Sequence, residues 1–254
     1  MYSEKTEEVV MDTIDEVKEL LEYQIGDLEK GLHFHMKYNQ PFDPLGDSFT
    51  EMLHAAMYNT RCTGSAGSGW DSIDKHEGKY SSRLQSRKCK SCGAKVMFFL
   101  EECADCGSSD LSRYPKDSRW GIAAKSHIVY FDELKGYRVT LLEPETFDSD
   151  CRVFILRSWF IETKNEYLTA YATAQYNSEK SNHINFMPLG QDFYRSSPCL
   201  HMSATISLDG VTIDYFDTSN TAPEIVPAEY NTKSIEEIME GKTFGKDRGI
   251  TSRK

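Results

Sequence analysis

The 254-residue chain has no run of some 18 apolar residues, so no segment reads as a membrane-spanning helix. Its opening residues, MYSEKTEEVV, are acidic and lack the apolar stretch of a secretory signal, which points to a cytoplasmic protein. Neither GxxxxGK[ST] nor a GxGxxG following a strand occurs, so nucleoside-triphosphate and dinucleotide chemistry has no motif to rest on. GSAGSGW resembles a phosphate loop only in its glycines. Internal repeats and low-complexity tracts are missing as well.

Net positive charge is also missing: 29 basic residues face 40 acidic ones, a formal charge of −11. That argues against a surface coated with phosphate-binding groups. The charge is uneven, however. Lys79, Arg83, Arg87, Lys88, Lys90 and Lys95 follow one another with no acid between positions 79 and 95, and the tail 242–254 carries five basic residues against one Asp. A local strip of this kind can meet nucleic acid, because contact is decided within a Debye length of about 8 Å. A solvated loop accounts for the same charges. Apolar residues at 39% and aromatics at 12% are enough to bury a core of one large domain with a small insertion.

Seven cysteines are present, and four of them, Cys89, Cys92, Cys103 and Cys106, form two CxxCG turns separated by AKVMFFLEE. Two such knuckles, joined by a short hairpin, suit one tetrahedral Zn²⁺ held by four thiolates. The glycine after each pair suits a positive φ. Two disulfides are the alternative, which a reducing compartment disfavours. With four thiolates the ion has no open position, so its role is structural. Cys62, Cys151 and Cys199 read as small buried hydrophobes.

Apolar spacing of three and four (Val10, Ile14, Val17, Leu21, Ile25, Leu28, Leu32) predicts one helix over 4–32, and a second is expected over 47–59. A glycine-rich loop at 63–69 precedes a stretch, 70–82, that reads as a tight hairpin. Strands are expected at 137–142, 153–161, 201–208 and 211–216, with a turn at 208–210, and a helix within 164–180. Ser234-x-x-Glu237 is a capping box for a short last helix that Gly241 ends. The expected architecture is α/β (α+β), a mixed central sheet flanked by helices, with core segments 1–85 and 111–254 and a zinc-ribbon insertion at 86–110.

Chemistry concentrates between Trp70 and Ser82. Glu77 and Lys79 are two apart, so on a strand they project from one face. With Asp71 or Asp74 they make a hard-oxygen site suited to Mg²⁺, beside an amine able to orient a water. Asp71 is favoured. This run of Gly-rich turn, Asp and Glu-x-Lys-x-Ser resembles the active-site core of the PD-(D/E)XK nuclease superfamily. Its continuation into a CxxC knuckle resembles type II restriction endonucleases with a zinc-ribbon insertion. The resemblance covers some 35 residues and implies a restriction-endonuclease-like core, Mg²⁺-dependent hydrolysis of double-stranded DNA and a homodimer. It also implies Asp71, Glu77 and Lys79 as the catalytic set, with Glu51 of the preceding helix as a further carboxylate. The spacing departs from the family pattern, since only five residues separate Asp71 from Glu77.

A second constellation, DSRWGIAAKSH, holds Asp117, Arg119, Lys125 and His127. Asp117 and Lys125 form a degenerate alternative to the first motif, and Lys125 and His127 are candidates for phosphate contact. A core strand WGIAA with structural partners at Arg119 and His127 is the plainer reading. For DNA the candidates are Arg83, Gln85, Arg87 and Lys88 in the basic strip, and Asn182, Asn185, Gln191 and Arg195 in the amide-rich loop, whose side chains suit base edges and phosphate. His127 lacks the partner a His-based ββα nuclease requires, and His33 and His35 flank Phe34 at strand spacing without a third ligand. The competing function is a non-catalytic nucleic-acid-binding protein in which ribbon and basic strip are the whole apparatus.

Overall fold

The computed structural model describes residues 2–26, 28–38, 44–63, 70–112, 119–148, 150–177, 183–219, 223–230 and 233–240. The expected helix over 4–32 is two helices, α1 (Tyr2–Ile25) and α2 (Leu28–Lys37). Gly26 at φ +53° is the break, a backbone state that ends helices because only glycine enters it freely. The apolar spacing continues across it, since Val17, Leu21, Leu28 and Leu32 all reach the core; the side chain of Val10 lies outside the described set. His33 and His35 therefore sit on a helix rather than a strand. Helix α3 (Asp47–Met57) packs against α1 and buries Phe49, Leu53 and Met57 along one stripe, and Thr50 and His54 along the next.

No hairpin forms over 70–82. The flanks of the glycine-rich loop pair instead, through an isolated bridge of Cys62 with Ser72. A tight turn at Ser72–His76, with Lys75 at φ +67°, then launches a single strand, β1 (His76–Ser82). The short strands β2 (Arg87–Lys88) and β3 (Lys95–Val96) pair around the first cysteine knuckle. Strand β4 (Trp120–Ala123) runs directly into α4 (Ala124–Val129). Strands β5 (Gly136–Pro144) and β6 (Phe154–Glu162) precede α5 (Glu166–Asn177) and β7 (His183–Phe186). Helix α6 (Gln191–Arg195), strands β8 (Cys199–Ser207) and β9 (Gly210–Phe216) and helix α7 (Ile235–Glu240) complete the order. The capping box opens α7 as expected, with Ser234 and Glu237 bonding each other's backbone N–H groups.

The protein is mixed α/β. Its central sheet has five strands in the order β1-β5-β6-β8-β9, and β4 pairs with β7 in a separate ribbon. Only the β1–β5 pair is parallel, which fits its connection through the cysteine segment, β4 and α4 rather than a hairpin. Both sheet faces are covered. Tyr137, Val139, Leu141, Trp159 and Ile161 pack under α5, β4 and β7, while Leu142, Phe154, Leu156, Met202 and Ala204 pack under α1–α3. Beneath α3 the second face turns polar, at Arg138, Thr140 and Ser158, and this change places the site.

Candidate active site and metal centre

The cysteine knuckles answer most directly to the sequence. Gly93 and Gly107, the residues after each CxxC, stand at φ +83° and +69°. All seven cysteines are free thiols. Cys89 and Cys106 sulfurs lie 3.6 Å apart, and those of Cys92 and Cys103 lie 3.5 Å apart. All four lie within 4.8 Å of one another, the arrangement a tetrahedral ion with bonds of about 2.3 Å to sulfur needs. A four-thiolate set of this kind is able to hold zinc. The pairing hairpin is the first knuckle itself, and the linker is used otherwise: Met97 and Phe98, each 3% exposed, enter the core under α1–α3. The knuckles are thus stitched to the domain by their own linker. The pairing also extends past residue 110, since Cys89 bridges Leu111. Of the remaining cysteines, Cys151 and Cys199 are buried and Cys62 is half-buried.

Asp71, Glu77 and Lys79 share one cleft of about 320 Å³. It is lined by Asp47, Thr50 and Glu51 from α3, Asp71 from the turn, Glu77, Gly78, Lys79 and Tyr80 from β1, and Arg119, Trp120 and Gly121 from β4. Glu77 and Lys79 lie on one face, as their spacing requires, and the Lys79 Nζ donates to Glu77 Oε1 at 2.6 Å. Strand β1 is a sheet edge, so the Gly78 N–H is free of the ladder and donates to Asp71 Oδ2 at 2.7 Å. That bond turns Asp71 toward Glu77. Asp74 is committed elsewhere: buried Arg138 donates to its Oδ2 at 2.6 Å. Burial would raise the Asp74 carboxyl, but hydrogen bonds from Ser72 and Arg138, with the Arg138 charge, hold it well below the usual carboxylate range. Asp71, not Asp74, is the acid that faces the cleft.

The carboxylates strain against one another. Burial first, then the charges of Asp71, Asp47 and Glu77, push Glu51 above its ordinary value, while Lys79 pulls it down. Burial also raises Glu77, with Asp71 adding to the shift and Lys79 opposing it. A divalent cation relieves this repulsion, and oxygen donors of this type are what Mg²⁺ takes. Asp71, Glu77 and Glu51 are donors of the chemical kind such an ion would use. They are not gathered as closely as the thiols: among the described residues, the cysteines are the group of three or more metal-ligating side chains within 4.8 Å.

The DNA-facing candidates divide. Arg119 joins the same cleft, its Nε 3.2 Å from Met187 Sδ, so part of the second constellation belongs with the first. Asn185 is exposed on β7 opposite Gly121. Gln85, Lys88, Lys125 and Gln191 are exposed. Two expectations are overturned. Arg87 is 4% exposed and donates to the Leu100 carbonyl, so it braces the cysteine segment. His127 is fully buried, 2.8 Å from the Tyr137 hydroxyl, and burial lowers it to about 4, so it is a neutral core residue. Arg83 is held by Glu143 at 2.6 Å and by the Pro188 carbonyl, and Arg195 donates twice to the Tyr230 carbonyl. Asp117, Asn182 and the basic tail 242–254 lie outside the described residues. The ribbon's Lys88, Lys90 and Lys95 are matched by Glu101, Glu102, Asp105 and Asp110, with Lys90 paired to Asp110 at 2.8 Å, so the basic strip is offset by acids.

Sequence reasoning missed Asp47, Thr50 and His54. The signal was present: Asp47 and Glu51 are one helical turn apart, as are Thr50 and His54, and a polar pair alongside an apolar stripe marks a buried polar contact. A larger cavity of about 380 Å³, between the α1–α2 junction and the β8–β9 turn, contains none of the candidate residues. Compared with family models, curated proteins and solved structures, the chain has no significant match.

Proposed function

We propose that this protein is a Mg²⁺-dependent endonuclease acting on double-stranded DNA in the manner of type II restriction enzymes, as a homodimer. One observation carries the reading: Asp71, Glu77 and Lys79 meet in a single cleft, with Glu51 and Arg119 on its walls. Asp71, Glu77 and Glu51 would hold the ion, which when bound polarises a phosphate and lowers the pKa of a coordinated water. Lys79, already drawn to Glu77, orients the attacking water and offsets charge growing on the phosphate. Arg119 supplies a second cation for a non-bridging phosphate oxygen. Asn185 and Gln191, both exposed, would be the candidates for base edges, and exposed Lys88 and Lys125 for backbone phosphate. The four-cysteine site braces the segment that follows β1. Its near balance of acids and bases weighs against the ribbon as a binding module sufficient in itself.

The test is incubation with plasmid DNA in Mg²⁺ and in EDTA. Discrete fragments are expected in Mg²⁺ alone, and Glu77→Ala or Lys79→Ala should lower the rate by roughly 10²–10⁴ while DNA binding persists. Cleavage retained by both variants overturns the assignment. Binding that ignores Mg²⁺, with no cleavage, favours a non-catalytic nucleic-acid-binding protein.

A further inference from the structure

Helix α3 carries a histidine that the site above does not use. His54 is 3% exposed, and its Nε2 lies 2.8 Å from Thr140 Oγ1, which in turn lies 2.7 Å from Ser158 Oγ. Its other ring nitrogen, Nδ1, is buried with no hydrogen-bond partner. Bare polar atoms are rare inside proteins, and this one points at Gly78, between Glu77 and Lys79. A Cβ at Gly78 would stand 3.1 Å from His54 Nδ1 and 3.3 Å from Asp71 Oδ2. The imidazole edge and the carboxylate oxygen therefore converge on one gap that only a glycine leaves open.

The hydroxyl chain permits two proton orders. In one, His54 Nε2–H donates to Thr140, and a lone pair on Nδ1 looks into the gap at Gly78 that the negative Asp71 oxygen also borders. In the other, Ser158 donates to Thr140, Thr140 donates to Nε2, and the ring proton sits on Nδ1 facing that gap. Electrostatics selects the second order. The geometry points to His54 as the positioning residue of Asp71: its Nδ1–H borders the same gap at Gly78 as Oδ2, which the Gly78 N–H already holds, leaving the second carboxylate oxygen for an ion. This rests on reading the cleft as a metal-dependent hydrolytic site. Partners behind a ligating carboxylate typically change metal affinity by about 10–100-fold.

Two measurements on the full chain test it. Imidazole ¹⁵N spectra of the wild type should show His54 protonated at Nδ1, with a resonance that moves in Asp71→Ala. An Nε2–H tautomer, or a resonance indifferent to Asp71→Ala, overturns the pairing whether or not the protein cleaves DNA. In Mg²⁺ titrations, by calorimetry without DNA and by cleavage rate, His54→Phe and Thr140→Val should raise the half-saturating Mg²⁺ concentration about 10–100-fold with kcat at saturating ion retained. His54→Asn, which keeps an N–H near the Nδ1 position, should stay within a few-fold of wild type. An unchanged Mg²⁺ requirement in folded His54→Phe, or equal loss in the Asn and Phe variants, overturns the proposal. A wild type that takes up no divalent ion overturns instead the hydrolytic reading of the cleft.

Discussion

The four-cysteine cluster and the acidic cleft of this protein are built on opposite principles. In the knuckles, four like donors converge and their sulfurs have mainly one another for company. In the cleft, each acid already has a protein partner or is raised by its neighbours: Asp71 takes the Gly78 N–H, Glu77 takes Lys79, and Glu51 is raised by burial and three nearby acids. The first arrangement gathers donors that gain a common partner only in an ion and leave it no open position. The second is ordered without one and stands as an open cleft. The two differ in what holds their side chains in place when no ion is bound.

The largest way to break that contrast is to remove a thiolate. Structural four-cysteine sites draw on binding free energies of order 10 kcal/mol, all of which counts toward folding. Cys89→Ser should therefore abolish stoichiometric zinc and lower the denaturation midpoint sharply, read by metal analysis and urea unfolding. Equal stability with and without a chelator would show that the knuckles fold unaided. Phe98→Ala comes next. Phe98 is 3% exposed in the core and packs edge-on against Phe99, so truncation should cost about 3–5 kcal/mol. Zinc stoichiometry should be retained, because no thiolate is touched. Loss of zinc together with stability would mean that the linker shapes the knuckles rather than anchoring them.

These two regions were also unequally legible. The knuckles are local: CxxCG fixes ligand spacing and turn geometry within five residues, and both glycines adopt the positive φ expected of them. Glu77 and Lys79 share a face for the same local reason. What could not be read was everything set by long-range pairing. The parallel register of β1 on β5 puts Lys79 beside Val139, 60 residues away, and this pairing turned an expected hairpin into an edge strand. It also brought Arg119 to the cleft and committed Asp74 to Arg138. Arg87 looked like a surface group, and His127 stayed open between phosphate contact and a structural role, because their partners, the Leu100 carbonyl and the Tyr137 hydroxyl, are recognisable only once the chain has folded. Gly26 divided an unbroken apolar stripe because packing periodicity survives a single positive-φ residue.

Acid sharpens the comparison by acting on the wall behind the cleft. Burial first, then the charges of Arg138 and His76, lower His54 from 6.5 to about 3. A base depressed in the folded state leaves the unfolded chain binding more protons, so stability falls as pH drops from about 6.5 toward 3. His54 by itself contributes a slope of at most about 1.4 kcal/mol per pH unit, and the lowered His76 and His127 add to the loss in the same direction. Glu51 and Glu77 oppose it, since a raised carboxyl favours the folded state as pH falls. Asp74, depressed, adds to the loss only below its ordinary range. The difference between wild type and His54→Asn isolates the histidine, because the other groups are common to both. A flat difference between pH 6 and 4 would mean that His54 is protonated in the fold.

Glu77→Gln should have the smallest effect on folding and a large one on activity. Its carboxylate is about a quarter exposed and paired to Lys79, a partnership worth no more than about 1 kcal/mol at such a site. Burial and Asp71 already disfavour its charge, so neutralising it trades a weak ion pair for relief of repulsion. Unfolding free energy at pH 7 should change by less than about 1 kcal/mol. Metal-dependent cleavage should fall as for Glu77→Ala, because the amide oxygen carries no charge to hold a divalent ion. A variant with intact activity would make Glu77 part of the scaffold. One that unfolds would show that the Glu77–Lys79 pair holds the edge strand together, and the cleft would then be a folding site like the knuckles.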